Sequence, residues 1–383
     1  MRIGLDAHIL GKGKGGVERV VDQMVRWLPE YRPQDEFVIF VQKNYRPAFA
    51  ARRNVRFHQL PVSDPLLQRS LVLPWLARKE KLDLLHVQRA APPRVRAKLI
   101  VHTHDLLPLT APRDHRDFRD QLVRRLMPSS LRKADCVLTV SESVAGEIRT
   151  LFPDVAPRVA AVLNGIESAL FRPKTATEPR RSVHQRLGLE GDYVLYLGAL
   201  MARKNLEVSL RAFGQFLSRM QAEGRPAPKL VLAGMSRSED YVKRLRAIAS
   251  EVAPKEICFT GFVSDDECVA LLQHAHAFIA PSRGEGFDLP ALEAMSCAIP
   301  VVCSDIPVHR ELLGGDALFF PVDRPDAFAA QLCRLFAEPG LHADLGRRGP
   351  ERAKHYCWEA SMRRLAELYH QILGGRRATV SSL

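Results

Sequence analysis

Two glutamates separated by seven residues, Glu285 and Glu293, lie within APSRGEGFDLPALEAMSCAIPVVCSD at 280–305. A buried apolar run ends at Ala280–Pro281, a loop with two glycines follows, and Pro290 suits the first position of a helix. Glu285 then sits in the loop and Glu293 in the first turns of the helix. Backbone N–H groups of Gly286, Phe287, Asp288 and Leu289 can meet phosphate oxygens at such a helix start. Glu293 can reach back to paired hydroxyls of a ribose, and Glu285 projects into a cleft. The plainer reading is one loop acid and one helix-start acid favoured by the dipole. It accounts for Glu293 alone and not for the ordered string.

Three weaker motifs precede it. In YLGALMARKNLEVSLRAF, 196–213, a strand ends at Leu197–Gly198, and a loop carries Arg203, Lys204 and Asn205 into an amphipathic helix. An adjacent Arg and Lys suit a diphosphate, the first as a planar fork and the second as a compact charge. Helix starts disfavour cations, so the pair wants an explanation, and a bound phosphate is one. In VHTHDLLPL, 101–109, a strand ends in His-Thr-His-Asp, where α/β sites lie. By alternation His102 and His104 share a face, so position alone does not choose between them. In GKGKGGVERV, 11–20, glycines between the first strand and first helix permit close approach of N–H groups to a phosphate. This is not the dinucleotide-binding G-x-G-x-x-G, and no acid follows at the ribose-binding distance.

Elements that would position these residues repeat in a βα rhythm, predicting parallel sheets. The first half carries strands at Arg2–Asp6, Phe37–Val41, Val55–Leu60, Leu82–His86, Leu99–Thr103, Cys136–Val140 and Val159–Val162. Helices include Val17–Leu28 and Phe118–Lys133. A polar, proline-containing stretch at 172–182 reads as a linker. The second half restarts with strands at Tyr193–Leu197, Leu230–Ala233, Ile257–Thr260, Ala277–Ala280, Val301–Cys303 and Ala317–Phe320. Residues 374–383 lack an apolar pattern and read as a frayed tail.

With 383 residues and 46% hydrophobic content, the chain suits two globular α/β domains. No apolar run reaches the ~18 residues of a membrane span, and MRIGLDAHIL reads as a strand, not a signal peptide. Seven scattered cysteines without a CxxC fit a reducing, cytoplasmic setting and core packing. No His/Cys cluster has metal-ligand spacing. Of the net charge of +13, residues 1–173 hold +11, from 29 Lys and Arg against 18 Asp and Glu. An anionic partner for that half follows. The stretch 114–133, DHRDFRDQLVRRLMPSSLRK, interleaves Arg with apolar residues at helical spacing, with Pro128 expected to kink or end the helix. A solvated amphipathic helix and a loose attachment to an anionic membrane both fit it.

Taken in order, these motifs resemble the retaining glycosyltransferases of family 4, with the GT-B fold: two Rossmann-like domains facing a central cleft. The resemblance covers nearly the whole chain and is reinforced by VSES at 140–143, VLNGIESALF at 162–171 and TGFVSDDE at 260–267. It implies an N-terminal acceptor domain, 1–173, and a C-terminal nucleotide-sugar domain, 174–357, with the helix near Trp358–Leu373 packing back on the first. It implies that Glu285 sits beside the donor sugar and that Glu293 holds the ribose. Arg203 and Lys204 would hold the diphosphate and stabilise the leaving group, while Gly15 and Gly16 complete that cradle. His104 would line the sugar and acceptor site, with Phe262 and Val263 near the base and Gly286, Phe287, Asp288 and Leu289 along the phosphates. No cofactor or metal is implied, and no DxD motif is present. The implied donor is GDP-mannose or a related GDP-sugar, with UDP-glucose as runner-up. The implied acceptor is a saccharide or a polyprenyl-diphosphate-linked glycan of bacterial lipopolysaccharide O-antigen or other surface polysaccharide. Peripheral contact at the inner face of the membrane would follow, and no nucleic-acid partner. Asp288, Ala199 and Ala298 depart from the family pattern, the first placing a carboxylate beside a diphosphate. A Rossmann-type oxidoreductase and a basic nucleic-acid-binding protein are the readings from other classes, each lacking its own motif.

Overall fold

The computed structural model describes residues 1–13, 15–43, 45–47, 52–111, 118–175, 182–236 and 238–375. The centre of the expected linker, 176–181, the tail from 376, Lys14 and residues 114–117 of the basic stretch lie outside them.

The chain forms two compact units. One comprises Met1–Gly165 with the chain from Trp358 on; the other is Ile166–Cys357. The boundary therefore falls eight residues before the one expected at 173/174. Ile166 N–H donates to the Tyr356 carbonyl at 3.0 Å. The Phe171 and Arg172 carbonyls accept from Ser296 Oγ and Gln273 Nε2. These bonds tie 166–172 to the second unit. The Trp358–Leu373 helix returns to the first unit, where it packs on the Gly16–Tyr31 helix.

In the first unit seven parallel strands run in the order β3-β2-β1-β4-β5-β6-β7. They are β1 Arg2–Asp6, β2 Glu36–Val41, β3 Val55–Gln59, β4 Leu84–Gln88, β5 Lys98–Thr103, β6 Cys136–Thr139 and β7 Val159–Ala161. In the second, six parallel strands run β10-β9-β8-β11-β12-β13. These are β8 Tyr193–Leu197, β9 Lys229–Ala233, β10 Ile257–Gly261, β11 Ala277–Ala280, β12 Val301–Ser304 and β13 Leu318–Phe320. Central strands are buried along their length, as a sheet covered on both faces requires. Their near-continuous apolar runs follow from that.

Both sheets reverse direction at one place, between β1 and β4 and between β8 and β11. Adjacent loops leave these strand pairs in opposite directions, which opens a crevice at the carboxyl ends. Close packing beside the second crevice depends on glycine. Gly234 has φ +144, and a Cβ there would lie 1.9 Å from the Gly198 carbonyl oxygen. Pro128 does not end its helix, which runs Phe118–Lys133. Met127 and Leu131 on that helix are buried in the first core.

Candidate functional site

The loop after β8 and the loop after β11 flank the second crevice. After β8 the chain makes a short turn, Ala202–Lys204, and Asn205 enters the left-handed region at φ 56 before the Leu206–Ala222 helix begins. Arg203 and Lys204 are thereby carried to the Glu285 carboxylate from the neighbouring loop. Arg203 Nη1 lies 2.8 Å from Glu285 Oε2, and Lys204 Nζ lies 2.5 Å from Oε1. Ser282 Oγ donates to Oε1 at 2.6 Å. The Arg203 carbonyl accepts from Arg283 N–H at 2.9 Å, so the two loops are also joined through backbone.

The Glu285 side chain is only 5% exposed. Burial alone would raise its pKa, but the Arg203 and Lys204 charges and the bonds from Lys204 and Ser282 outweigh that, and it falls to about 2. Such a carboxylate stays ionised, so it is a poor proton donor and a weak base. What it does well is fix two cations. Lys204 is buried as well. An anchored Arg–Lys pair at the mouth of an α/β crevice is pre-organised to receive a multiply charged anion.

Four residues of the expected phosphate-binding strip, Gly286, Phe287, Asp288 and Leu289, bring the chain into the Leu289–Ser296 helix. No side chain caps this helix at Asp288. Asp288 instead turns to His309, whose Nε2 lies 3.1 Å from Oδ2. The other ring nitrogen, Nδ1, lies 2.8 Å from the Ser304 carbonyl oxygen, which can only accept. Nδ1 therefore carries a hydrogen, and the single proton between Nε2 and Asp288 makes the pair neutral overall. Burial would lower the His309 pKa, but its interactions with Asp288 and Cys303 outweigh this and hold it at about 10. The Asp288 carboxylate is thus compensated from the next βα unit. Glu293 is buried in the second turn of the same helix. Phe262 and Val263 follow the edge strand β10, two strands from β8. Phe262 is 73% exposed.

In the first unit, Gly15 precedes the Gly16–Tyr31 helix at φ 67, where a side chain would be strained. The Glu18 carboxylate accepts from Gly11 and Lys12 N–H and holds the loop. His102 and His104 do share a face, their rings stacked at 4.3 Å and 21°. His104 Nε2 lies 2.7 Å from Gln88 Oε1. That acceptor fixes the Nε2–H tautomer and leaves Nδ1 as the acceptor nitrogen. The His86 ring lies 5.3 Å from that of His102, tilted by 45°, and His86 Nδ1 meets Tyr369 OH at 2.6 Å, so the returning helix reaches this cluster. Burial pushes all three imidazoles down, His102 to about 3. They are neutral, and His104 can accept but not act as a cationic donor.

Sequence reasoning missed Ser282, His309, Gln88 and Tyr369. Each acts from a separate element, and only the three-dimensional strand order shows which element is adjacent. Among the described residues, no three His, Cys, Asp or Glu side chains are grouped to hold a metal ion. No described helix is long and apolar enough to cross a membrane.

This architecture is that of the GT-B glycosyltransferases. Sucrose-phosphate synthase from Thermosynechococcus elongatus superposes with a TM-score of 0.76 over 98% of this chain and 100% of that one, at 21% identity. Anabaena HepE, solved with UDP and glucose, gives 0.73 over 97% and 100%, at 18% identity. In sequence, residues 180–352 match "Glycosyl transferases group 1" and residues 14–170 match "Glycosyltransferase Family 4". The O-antigen chain mannosyltransferase B of Escherichia coli is 30% identical over 287 residues, covering 74% of this chain and 73% of that protein. A D-inositol 3-phosphate glycosyltransferase of Acidothermus cellulolyticus is 29% identical over 65% of this chain and 56% of its own length. The chain belongs to the group 1 and family 4 glycosyltransferases. It is a transferase, not an oxidoreductase.

Proposed function

We propose that this enzyme transfers a hexose, with retention at the anomeric carbon, from a nucleoside-diphosphate sugar to a saccharide or polyprenyl-diphosphate-linked acceptor in bacterial surface polysaccharide synthesis. The observation that carries the reading is the Arg203–Lys204 pair clamped on Glu285 at the β8/β11 switch point. As the glycosidic bond to the diphosphate breaks through an oxocarbenium-like transition state, negative charge grows on the leaving phosphate. Fixed cations and the start of the Leu289–Ser296 helix stabilise that charge without reorganising. Glu285 holds the cations and orients the sugar. Glu293 holds the ribose and Phe262 and Val263 attend the base; in the first unit Gly15 and Gly16 offer backbone N–H groups to phosphate, and His104 accepts a hydrogen bond from a sugar hydroxyl. No metal is required.

GDP-mannose is the proposed donor, supported by the mannosyltransferase named among the relatives. The test is release of nucleoside diphosphate, and transfer to acceptor, by purified native enzyme and by Lys204→Ala and Glu285→Ala in the presence of a chelator. Loss of roughly 10²–10³ in turnover is expected for each, the usual cost of one lost charge-stabilising group. Full activity in either correctly folded variant would overturn the assignment.

A further inference from the structure

The amphipathic stretch singled out in the sequence buries its apolar side. Met127 and Leu131 of Phe118–Lys133 belong to the core. The reverse holds in the segment before β4. There a helical rod runs through Pro65–Leu67, a wider turn at Gln68–Val72, and Leu73–Lys79. Leu73, Leu76 and Ala77 face the core. Leu67, Leu71 and Trp75, spaced by four, are exposed, Leu71 by 65% and Trp75 by 55%. Leu66 beside them is exposed too.

Cations surround this row. Lys79 Nζ lies 4.7 Å above the Trp75 ring. Next to it opens a groove of about 790 Å³ lined by Trp75, Arg78, Lys81, Arg94, Arg96 and Lys133. Its one lining acid, Asp135, is engaged by Lys98 Nζ and Leu99 N–H, both at 2.9 Å. The groove sits where β4, β5 and β6 begin, at the opposite end of the sheet from His104.

We propose that this face docks on an anionic lipid bilayer, with Leu67, Leu71 and Trp75 entering the headgroup boundary and the basic groove receiving lipid phosphates. An apolar row with an aromatic ring, flanked by Lys and Arg, matches such a boundary on both counts. A phosphate-backbone polymer has no use for the leucines. A second copy meeting this face would set its cations against their own kind. The inference goes beyond the proposed transfer: this face lies at the far end of the sheet from His104 and would hold the enzyme at the bilayer without touching the groups assigned to donor or acceptor. Docking is read without turnover, so failure of the donor assignment leaves it standing.

The test is flotation of the full chain with vesicles of phosphatidylcholine alone or mixed with phosphatidylglycerol, at low and high salt, while Trp emission is followed. Anionic vesicles should capture the protein, salt should release it, and a blue shift should vanish in Trp75→Phe. Leu71→Ser/Trp75→Ser and Arg94→Ser/Arg96→Ser should each lower partitioning roughly tenfold or more. Both pairs are at the surface, so unchanged circular dichroism and melting would show that the fold survives. Four results would overturn the proposal: no capture, equal capture by neutral vesicles, variants that bind like the native chain, or self-association abolished by the same substitutions. Inorganic phosphate that competes fully at equal charge would assign the groove to a free anion instead, and DNA that binds it more tightly than vesicles would assign it to nucleic acid.

Discussion

Replacing His309 by Gln removes the proton that neutralises Asp288 while keeping a hydrogen-bonding side chain of similar size. His309 is fully buried and Asp288 nearly so. The bond to Asp288 is among those that hold the His309 pKa up, and breaking one half of a buried pair costs about 3–5 kcal/mol. For a unit of this size that loss lowers the melting temperature by roughly 6–20 °C. Asp288→Asn alone should also destabilise, because His309 then loses its anionic partner in a dry site. The double variant, with two neutral groups able to bond, should recover much of the loss, giving a coupling of about 2 kcal/mol in a denaturation cycle. Donor affinity adds a functional readout. In His309→Gln the uncompensated carboxylate at the start of the Leu289–Ser296 helix should weaken binding of a nucleoside diphosphate at least about tenfold, and Asp288→Asn in the same chain should restore it. Strictly additive single losses, or singles within about 1 kcal/mol of the native enzyme, would refute the reasoning.

Stability should also depend on pH in two windows. The raised His309 stabilises fully below its ordinary 6.5, and that contribution is lost as pH climbs to about 10; melting scans of native protein should fall there while His309→Gln stays flat. On the acid side, His102 is held down to about 3. The unfolded chain therefore takes up a proton below 6.5 that the folded chain refuses, and stability drops by up to about 1.4 kcal/mol per pH unit; His102→Phe should reduce that slope. Glu285 contributes stability that is present above 4.5 and lost as pH falls towards about 2. Gln88→Leu should lower turnover roughly tenfold with little change in donor affinity, because it frees the His104 tautomer; unchanged kcat would remove Gln88 from the account. Ala298 sits at φ 62, a conformation costing about 1–2 kcal/mol for an L-residue. Glycine there should raise the melting temperature despite its larger unfolded-state entropy, and a lower one would contradict the assignment of strain.

The strands were legible because central strands covered on both faces read as unbroken apolar runs, and β8, β9 and β11 fall within a residue of their expected limits. The loop positions of Arg203, Lys204 and Glu285 followed from where those runs end. Their mutual contact was not legible, since it depends on β11 lying beside β8 although β9 and β10 come between them in the chain. The same holds for Asp288 and His309, which meet from successive βα units, and for His104 and Gln88, which meet across paired strands. Apolar spacing also could not say which helix hides its row. Phe118–Lys133 and the 65–79 rod both show helical spacing, yet Met127 is buried and Leu71 is exposed, because burial is decided by the neighbours and not by the pattern. Likewise 166–172 falls within the expected first domain, 1–173, and its bonds to Tyr356, Gln273 and Ser296 assign it to the second unit.

The central claim is that the second unit holds a nucleoside-diphosphate sugar on Arg203, Lys204 and Glu293. Its most direct test is thermal denaturation of the pure chain against GDP-, UDP-, ADP- and dTDP-sugars with a chelator present, repeated with Glu293→Ala and Lys204→Ala. A rise in melting temperature is expected with one base, GDP foremost, because a ligand that binds only the folded state at about a hundred times its Kd adds about 2.7 kcal/mol. Both variants should lose that rise. A native protein unmoved by every donor, with and without acceptor, or a shift that persists undiminished in both variants, would contradict it.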